Sequence, residues 1–298
     1  MIENGIKKGE NYVIISPKDI KMYDFINKEL QVPKKLLHQW RMTKQFTVNG
    51  EEYLNVDVIK KGDTISFPLF LKEEISPTPR SARIDVLYED DHYLVLNKDA
   101  FMNVHPSHDA EGVTLDEIVA AYFTTKNIHS KVRHIHRLDK DTTGTILYAK
   151  HHLAAALMDQ LLIDGKVKRE YVAVVHGQVK KEIGVVEERI GKDPMNSKKR
   201  MVSTRGDQAK TFYKIISFNE KRNITILKLR LLTGRTHQIR VHMAHIGHPL
   251  VGDELYGGRK GLVKRQALHG ETLSFFHPFK NEVITVSAPL PFDIIKLK

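Results

Sequence analysis

Apolar positions fall at helical spacing in a few stretches and bunch into strand-like runs in many more. Near the start, Val13, Ile14 and Ile15 predict a short strand, and Met22, Phe25, Ile26 and Leu30 share one helical face. Pro33 ends that run, and Lys34 to Lys44, with Leu37, Trp40 and Arg41, predicts a second, basic helix. Phe46-Thr47-Val48 runs into Asn49-Gly50, a strong hairpin signal, and Lys60 to Phe67 predicts a turn and another strand. The polar stretch Glu73 to Ser81 holds two prolines and reads as an extended linker. Residues 1–11 are polar and are expected to fray. The chain thus divides into a small unit over residues 12–72, a linker over 73–82 and a larger domain over 83–298.

In the larger part, residues 85–98 predict a hairpin about Glu89-Asp90-Asp91-His92. Thr114-Leu115-Asp116-Glu117 is a capping box opening a helix with Leu115, Ile118, Val119, Tyr122 and Phe123 on one face. Leu153, Ala156, Leu157 and Leu161 predict a further helix, stopped near Gly165. Strands are expected over Arg169–Val175, Ala209–Ser217, Asn223–Leu232 and Val283–Val286, with a charged loop from Gly191 to Arg200.

Charge narrows the partners more than it narrows the fold. The 298 residues hold 47 Lys+Arg against 36 Asp+Glu, a net charge of +11. That favours a polyanionic partner, nucleic acid above all, with a merely soluble basic protein as the bland alternative. Residues 1–79 carry 12 basic against 11 acidic residues, and residues 80–298 carry 35 against 25. The larger domain is therefore expected to supply most phosphate contacts. The absence of Cys excludes disulfides and a thiol nucleophile and fits a reducing cytoplasm. With no signal peptide, no long apolar span and no Gly-x-x-x-x-Gly-Lys loop, neither export, a membrane nor nucleotide hydrolysis is expected.

Two stretches carry chemistry. In His136-Arg137-Leu138-Asp139-Lys140-Asp141-Thr142-Thr143-Gly144-Thr145, an imidazole, a guanidinium and a carboxylate fall within four residues. The Thr-Thr-Gly turn signal precedes the apolar run Ile146–Ala149, so a polar turn delivers Asp139 between two strands. Alternation about Leu138 points Arg137 and Asp139 to one side. A surface turn with an ordinary Arg–Asp pair would have the same local sequence. In the second stretch, Leu232 to Pro249, a strand ends at Thr233-Gly234 and Thr236 is expected to cap a helix with Ile239, Met243 and Ile246 on its apolar face. Gly247 and Pro249 stop that helix, and Arg235 lies at a strand-to-helix junction, where side chains reach into clefts. His242, His245 and His248 stand three apart with no Cys or adjacent Glu to complete a zinc set, so no metal is expected.

Together these motifs resemble the RluA-type family of RNA pseudouridine synthases, in its ribosomal large-subunit, RluD-like branch. His136 to Gly144 resembles the family's catalytic motif, with Thr143 where Ser is usual, and Leu232 to His242 resembles its Arg-bearing motif. Arg169-Glu170-Tyr171 (Arg169 where Lys is usual), His248 to Asp253 and Leu268-His269 match further landmarks in the family's order. Lys98-Asp99-Ala100-Phe101 departs from the more frequent Lys-Pro-x-Gly. The order of helices and hairpin in residues 12–72 loosely resembles the RNA-binding module named after ribosomal small-subunit protein four, although its charge is near neutral.

The resemblance implies an α+β pseudouridine synthase fold: a mixed, largely antiparallel sheet with flanking helices and a central cleft, preceded by the small module. It implies isomerisation of uridine to pseudouridine in RNA. Large-subunit ribosomal RNA is favoured, with transfer RNA as the alternative, and the protein is expected to be a cytoplasmic monomer needing no metal or other cofactor. Asp139 would be the catalytic carboxylate, as nucleophile or base. Arg235 would be the cation that keeps it ionised on enclosure, and Tyr171 would lie against the uracil. Substrate or RNA contacts would fall to Arg137, His136, Thr143, His237, Arg240 and Lys98. A non-catalytic RNA-binding or ribosome-assembly protein on the same fold, or a metal hydrolase built on the histidines, would be the rival.

Overall fold

A computed structural model of the chain describes residues 2–106 and 112–297. Its centre is a ten-stranded sheet. From one edge the order is Ile183–Glu187, Lys210–Asn219, Ile224–Leu231, Lys168–His176, Leu268–His277, Thr143–Ala149, Tyr93–Lys98 and Val86–Glu89. Arg133–His134 and Glu282–Ser287 pair off this path. All pairings are antiparallel except that of Thr143–Ala149 with Leu268–His277, which is parallel. The expected mixed, largely antiparallel sheet is therefore present. Helices Leu115–Thr125, His152–Ile163 and Gln238–His245 flank it. The capping box at Thr114 forms with both reciprocal hydrogen bonds.

The parallel pair meets where the chain has least bulk. Gly144 has φ +115°, and a β-carbon built on it would lie 2.1 Å from the carbonyl oxygen of Gly270. Only glycine permits both that conformation and that approach. The strands close up directly behind the Asp139 turn. Beside them, the register of Lys168–His176 against Leu268–His277 shifts between Glu170 and Tyr171. The extra residue is Glu271, since Tyr171 keeps unbroken register with Leu229 on its other side, and the irregularity bends Leu268–His277 next to Tyr171.

Alternation splits the sheet into two faces. Tyr93, Val95, Leu147 and Ala149 pack into one core, and Leu94, Leu96, Ile146 and Tyr148 pack into the other, together with Tyr171. The first core is continuous with the N-terminal unit, a five-stranded sheet of Ile6–Lys8, Asn11–Ile15, Thr64–Pro68, Thr47–Val48 and Glu51–Glu52 in that order. Its two helical stretches run over Met22–Glu29 (ending in a π-helical turn) and Lys34–Thr43. The hairpin turn has positive φ at both Asn49 and Gly50, as its Asn-Gly sequence demands.

Two expectations need correcting, at the N-terminus and at Gly191 to Arg200. The N-terminus does not fray: Ile6–Lys8 is paired with Asn11–Ile15, and the Tyr12 hydroxyl donates to the carbonyl of Ile2, which is buried. The stretch over 73–82 is extended, but it is fastened down by Glu73 N–His129 O, Val132 N–Ser76 O and an Arg133–Glu73 ion pair. Gly191 to Arg200 is no plain loop, because Ile190–Lys192 and Arg200–Val202 form a hairpin.

The seam between the two sheets is aromatic. Tyr12 meets His92 and Phe279 edge-on at 5.3 and 5.8 Å, and His92 stacks on Phe279 at 3.9 Å. His92 Nδ1 also lies 2.9 Å from His151 Nε2. Burial pushes His92 down to about 3 and His151 well below its ordinary value, so both stay neutral when folded. The unfolded chain binds protons on them below about 6.5, so stability is whole above that pH and is lost as pH falls toward 3. A urea-midpoint titration from pH 8 to pH 4 should show a loss of a few kcal/mol that begins near 6.5. His92→Gln should flatten that slope.

Candidate active site

On the face away from the N-terminal unit, a cleft of about 480 Å³ opens between the Asp139 turn and the second motif. Asp139, Arg137, His136, Tyr171, Arg169, Arg235, His237 and Arg240 all contribute to its wall. The turn is held from beneath by buried cations and an amide. Lys98 Nζ donates to the carbonyls of Asp99, Met102 and Lys140 at 2.7, 2.8 and 2.9 Å. Arg265 Nη1 donates to Asp141 O, and Gln266 Nε2 donates to Thr142 Oγ1. Asp139 O in turn accepts from Thr142 N at 3.0 Å.

This corrects two expected contacts. Lys98 is 1% exposed and spends all three of its donors on backbone, so it has none for RNA. Burial pulls its pKa down to about 7, with Asp141 and Asp139 pulling it up again, and three acceptors match the three protons of an ammonium. Thr143 is also buried, with its hydroxyl against His269 Nδ1 at 2.8 Å and Arg265 Nη2 at 3.4 Å. It fastens strands and does not face the cleft. Lys98→Met should strand three carbonyls and lower stability by about 2–3 kcal/mol, read as a fall in urea midpoint. Activity should fall with it as the turn loosens.

The cation at Asp139 is Arg240. Its Nη1 donates to Asp139 Oδ2 at 3.1 Å, while Nε and Nη2 clasp Asp253 at 2.7 and 2.9 Å. One guanidinium thus serves two carboxylates, the bidentate pair fixing the fork and the third donor aimed at Asp139. Burial lowers the proton affinity of Arg240, but the hydrogen bonds and charges of Asp253 and Asp139 outweigh that and raise it. The Tyr256 ring lies under the guanidinium at 5.0 Å. The expected partner, Arg235, is half-exposed, donates to Gln208 O and lies 3.7 Å from Asp207. It reaches the cleft wall without touching Asp139.

The start of the helix explains the exchange. Thr236 does not cap it. The residue before Gln238–His245 is His237, in the left-handed region at φ 59°. No side chain caps the helix; the buried Gln238 amide instead holds the preceding bend, its Oε1 taking Arg235 N–H and Thr233 Oγ1–H while Nε2 donates to Lys210 O and Thr211 Oγ1. That locks Arg235 on the bend outside the helix and turns Arg240 inward.

His237 Nε2 stands 3.9 Å from Asp139 Oδ2, and its Nδ1 lies 2.9 Å from the Tyr256 hydroxyl. Burial lowers the His237 pKa against the pull of Asp139. Tyr171 is buried, and its hydroxyl has no protein partner among the described residues. Burial raises its pKa, with Arg169 opposing and Asp139 adding. Arg137 is exposed at the cleft, as a residue waiting for a ligand would be. His136 is buried in the wall, with burial pushing it down to about 3. The histidines suspected of binding metal are dispersed: His242 bonds Thr211 and Glu188 O, and His248 bonds His176 O. Asp253, Tyr256 and Arg265 were given no role from sequence, although Asp253 and Tyr256 lie in the Gly252–Gly258 turn region and Arg265 precedes Leu268-His269.

Comparison with known proteins agrees with this architecture. Residues 92–245 match the family of RNA pseudouridylate synthases. The chain belongs to that family, and is an RNA-acting isomerase of the pseudouridine synthase class. Residues 14–65 match the N-terminal domain of RluD ribosomal pseudouridine synthases. The chain is 40% identical over 276 residues to an uncharacterized RNA pseudouridine synthase, YhcT, of Bacillus subtilis, covering 93% of this chain and 91% of the relative. It is 38% identical over 278 residues to the ribosomal large subunit pseudouridine synthase D of Xanthomonas campestris, covering 88% and 82%. Among solved structures, human RNA pseudouridylate synthase domain containing 1 superposes with TM-score 0.59 at 25% identity, over 72% of this chain and 87% of that one. No helix among the described residues is long and apolar enough to cross a membrane.

Proposed function

We propose that this chain converts specific uridines of large-subunit ribosomal RNA to pseudouridine, with Asp139 as its catalytic carboxylate. The observation that carries the reading is the Asp139–Arg240–Asp253 array at the wall of the cleft. The isomerisation must break the bond from N1 to the sugar, turn the uracil and join C5 to the sugar, while C5 gives up its proton. A carboxylate can bond or take a proton and still leave, provided that it is ionised when the base closes over it. Enclosure by itself favours the neutral acid, and Arg240 opposes that because Asp253 holds its fork in place. Tyr171, buried in the cleft wall, supplies a flat, apolar surface for the uracil. Arg137, exposed at the rim, takes the RNA where the base has left its stack. The relatives named for the ribosomal large subunit favour ribosomal over transfer RNA.

The test is tritium release. Unmodified large-subunit ribosomal RNA and transfer RNA, each labelled at uracil C5, are incubated with the protein, and label released to water is counted. Release from the ribosomal RNA at specific, mappable uridines is expected. Release only from transfer RNA would replace the substrate, and release from neither would favour a binding or assembly role on this fold.

A further inference from the structure

Arg169 is 8% exposed and lines the cleft, yet its side chain makes no ion pair or hydrogen bond among the described residues, and its Nε is buried without a partner. Its guanidinium is packed against Gly234, where a β-carbon would come within 2.6 Å of Nη1. A titratable neighbour in the wall, His136, also has two buried ring nitrogens without partners, and burial and Arg169 itself keep it neutral. It offers no counter-charge. The neighbouring carboxylates are taken: Asp139 and Asp253 by Arg240, and Glu170 by Lys228. Only Nε is sealed off without a partner; the two Nη groups open onto the cleft, so the charge lacks a counter-ion among the described residues and an anion entering the cleft would supply one.

We propose that Arg169 holds a backbone phosphate of the RNA, that of the uridine lying against Tyr171. This rests on the function proposed above and adds a substrate subsite to it. Arg169 and Tyr171 are alternate residues of the strand Lys168–His176, on the same face and about 7 Å apart along it. That span is comparable with the distance from a base to its own phosphate. A guanidinium meets a phosphate with two parallel hydrogen bonds, and the glycine at 234 leaves the fork room to lie flat in the wall. A neutral uracil carbonyl would satisfy hydrogen bonds but would leave the charge uncompensated.

The experiment uses an RNA oligonucleotide spanning one mapped uridine, from which the wild-type protein must first be seen to release tritium; without that, the proposed function fails and not this subsite. Binding is followed by fluorescence anisotropy between about 50 and 200 mM salt. Arg169→Met is expected to flatten the slope of log affinity against log salt by about 0.7–0.9, the contribution of one phosphate, and Arg169→Lys to keep most of it. A second arm needs no variant. A methylphosphonate beside the target uridine, on its 5′ or 3′ side, should flatten the wild-type slope equally at one of the two sites and have no further effect on Arg169→Met. If Arg169→Met keeps the wild-type salt slope, or if neither methylphosphonate alters the wild-type slope, the phosphate assignment is overturned. Lost tritium release at unchanged slope would assign Arg169 to the uracil edge instead.

Discussion

Asp139→Asn should slow tritium release by at least about 10⁴-fold, the scale seen when a residue essential to covalent or acid–base chemistry is removed. The amide is nearly the same size and keeps a hydrogen-bond acceptor for Arg240, which stays clasped by Asp253. The fold should therefore survive, with a stability change within about 1 kcal/mol, and RNA affinity should hold to within a few-fold. Single-turnover release and anisotropy binding, measured on the same preparations, separate the two effects. A variant that keeps a tenth of the wild-type rate would take Asp139 out of the chemistry. A variant that loses binding and turnover together would make it a structural residue.

Arg240→Met should damage both stability and activity. It leaves the Asp253 carboxylate, 2% exposed, facing Asp139 with no cation between them. Stripping one partner from a buried pair costs about 3–5 kcal/mol. Arg240→Lys restores the charge without the fork, so it should recover part of the stability and little of the rate. Arg235→Met provides the contrast: with one backbone carbonyl and a distant exposed carboxylate as partners, its effect on stability should stay within about 0.5 kcal/mol. Urea denaturation of the three variants decides the matter. If Arg235→Met unfolds the protein and Arg240→Met does not, the ion-pair assignment is reversed.

That contrast marks where the sequence stops being readable. The Asp139 turn could be read because it depends on local chain chemistry: a Thr-Thr-Gly signal, an apolar run after it, and a short span for the polar residues to occupy. Most strands and helices could be read from periodicity for the same reason. Which arginine reaches Asp139 could not, because it depends on where the helix begins. Thr236 looks like the cap, but Gln238 satisfies the bend from inside the helix and His237 takes the left-handed turn. Lys98 and Thr143 were assigned outward roles because their surroundings are made by distant chain segments. The carbonyls around Lys98 and the imidazole against Thr143 are brought there by the sheet. Arg169 was visible only as a motif position. Its lack of any counter-charge is a property of the packed wall.

The aromatic seam has a consequence for how the molecule can be taken apart. Tyr12 and Phe279 belong to one continuous core with buried His92 packed between them, though two family descriptions divide the chain around them. A fragment beginning at the catalytic part would present the bare faces of His92 and Phe279 to water, and the excised N-terminal unit would do the same with Tyr12. The two pieces are therefore not interchangeable parts that could be shuffled between relatives on the strength of their sequences alone. A graft would have to carry both sides of the seam.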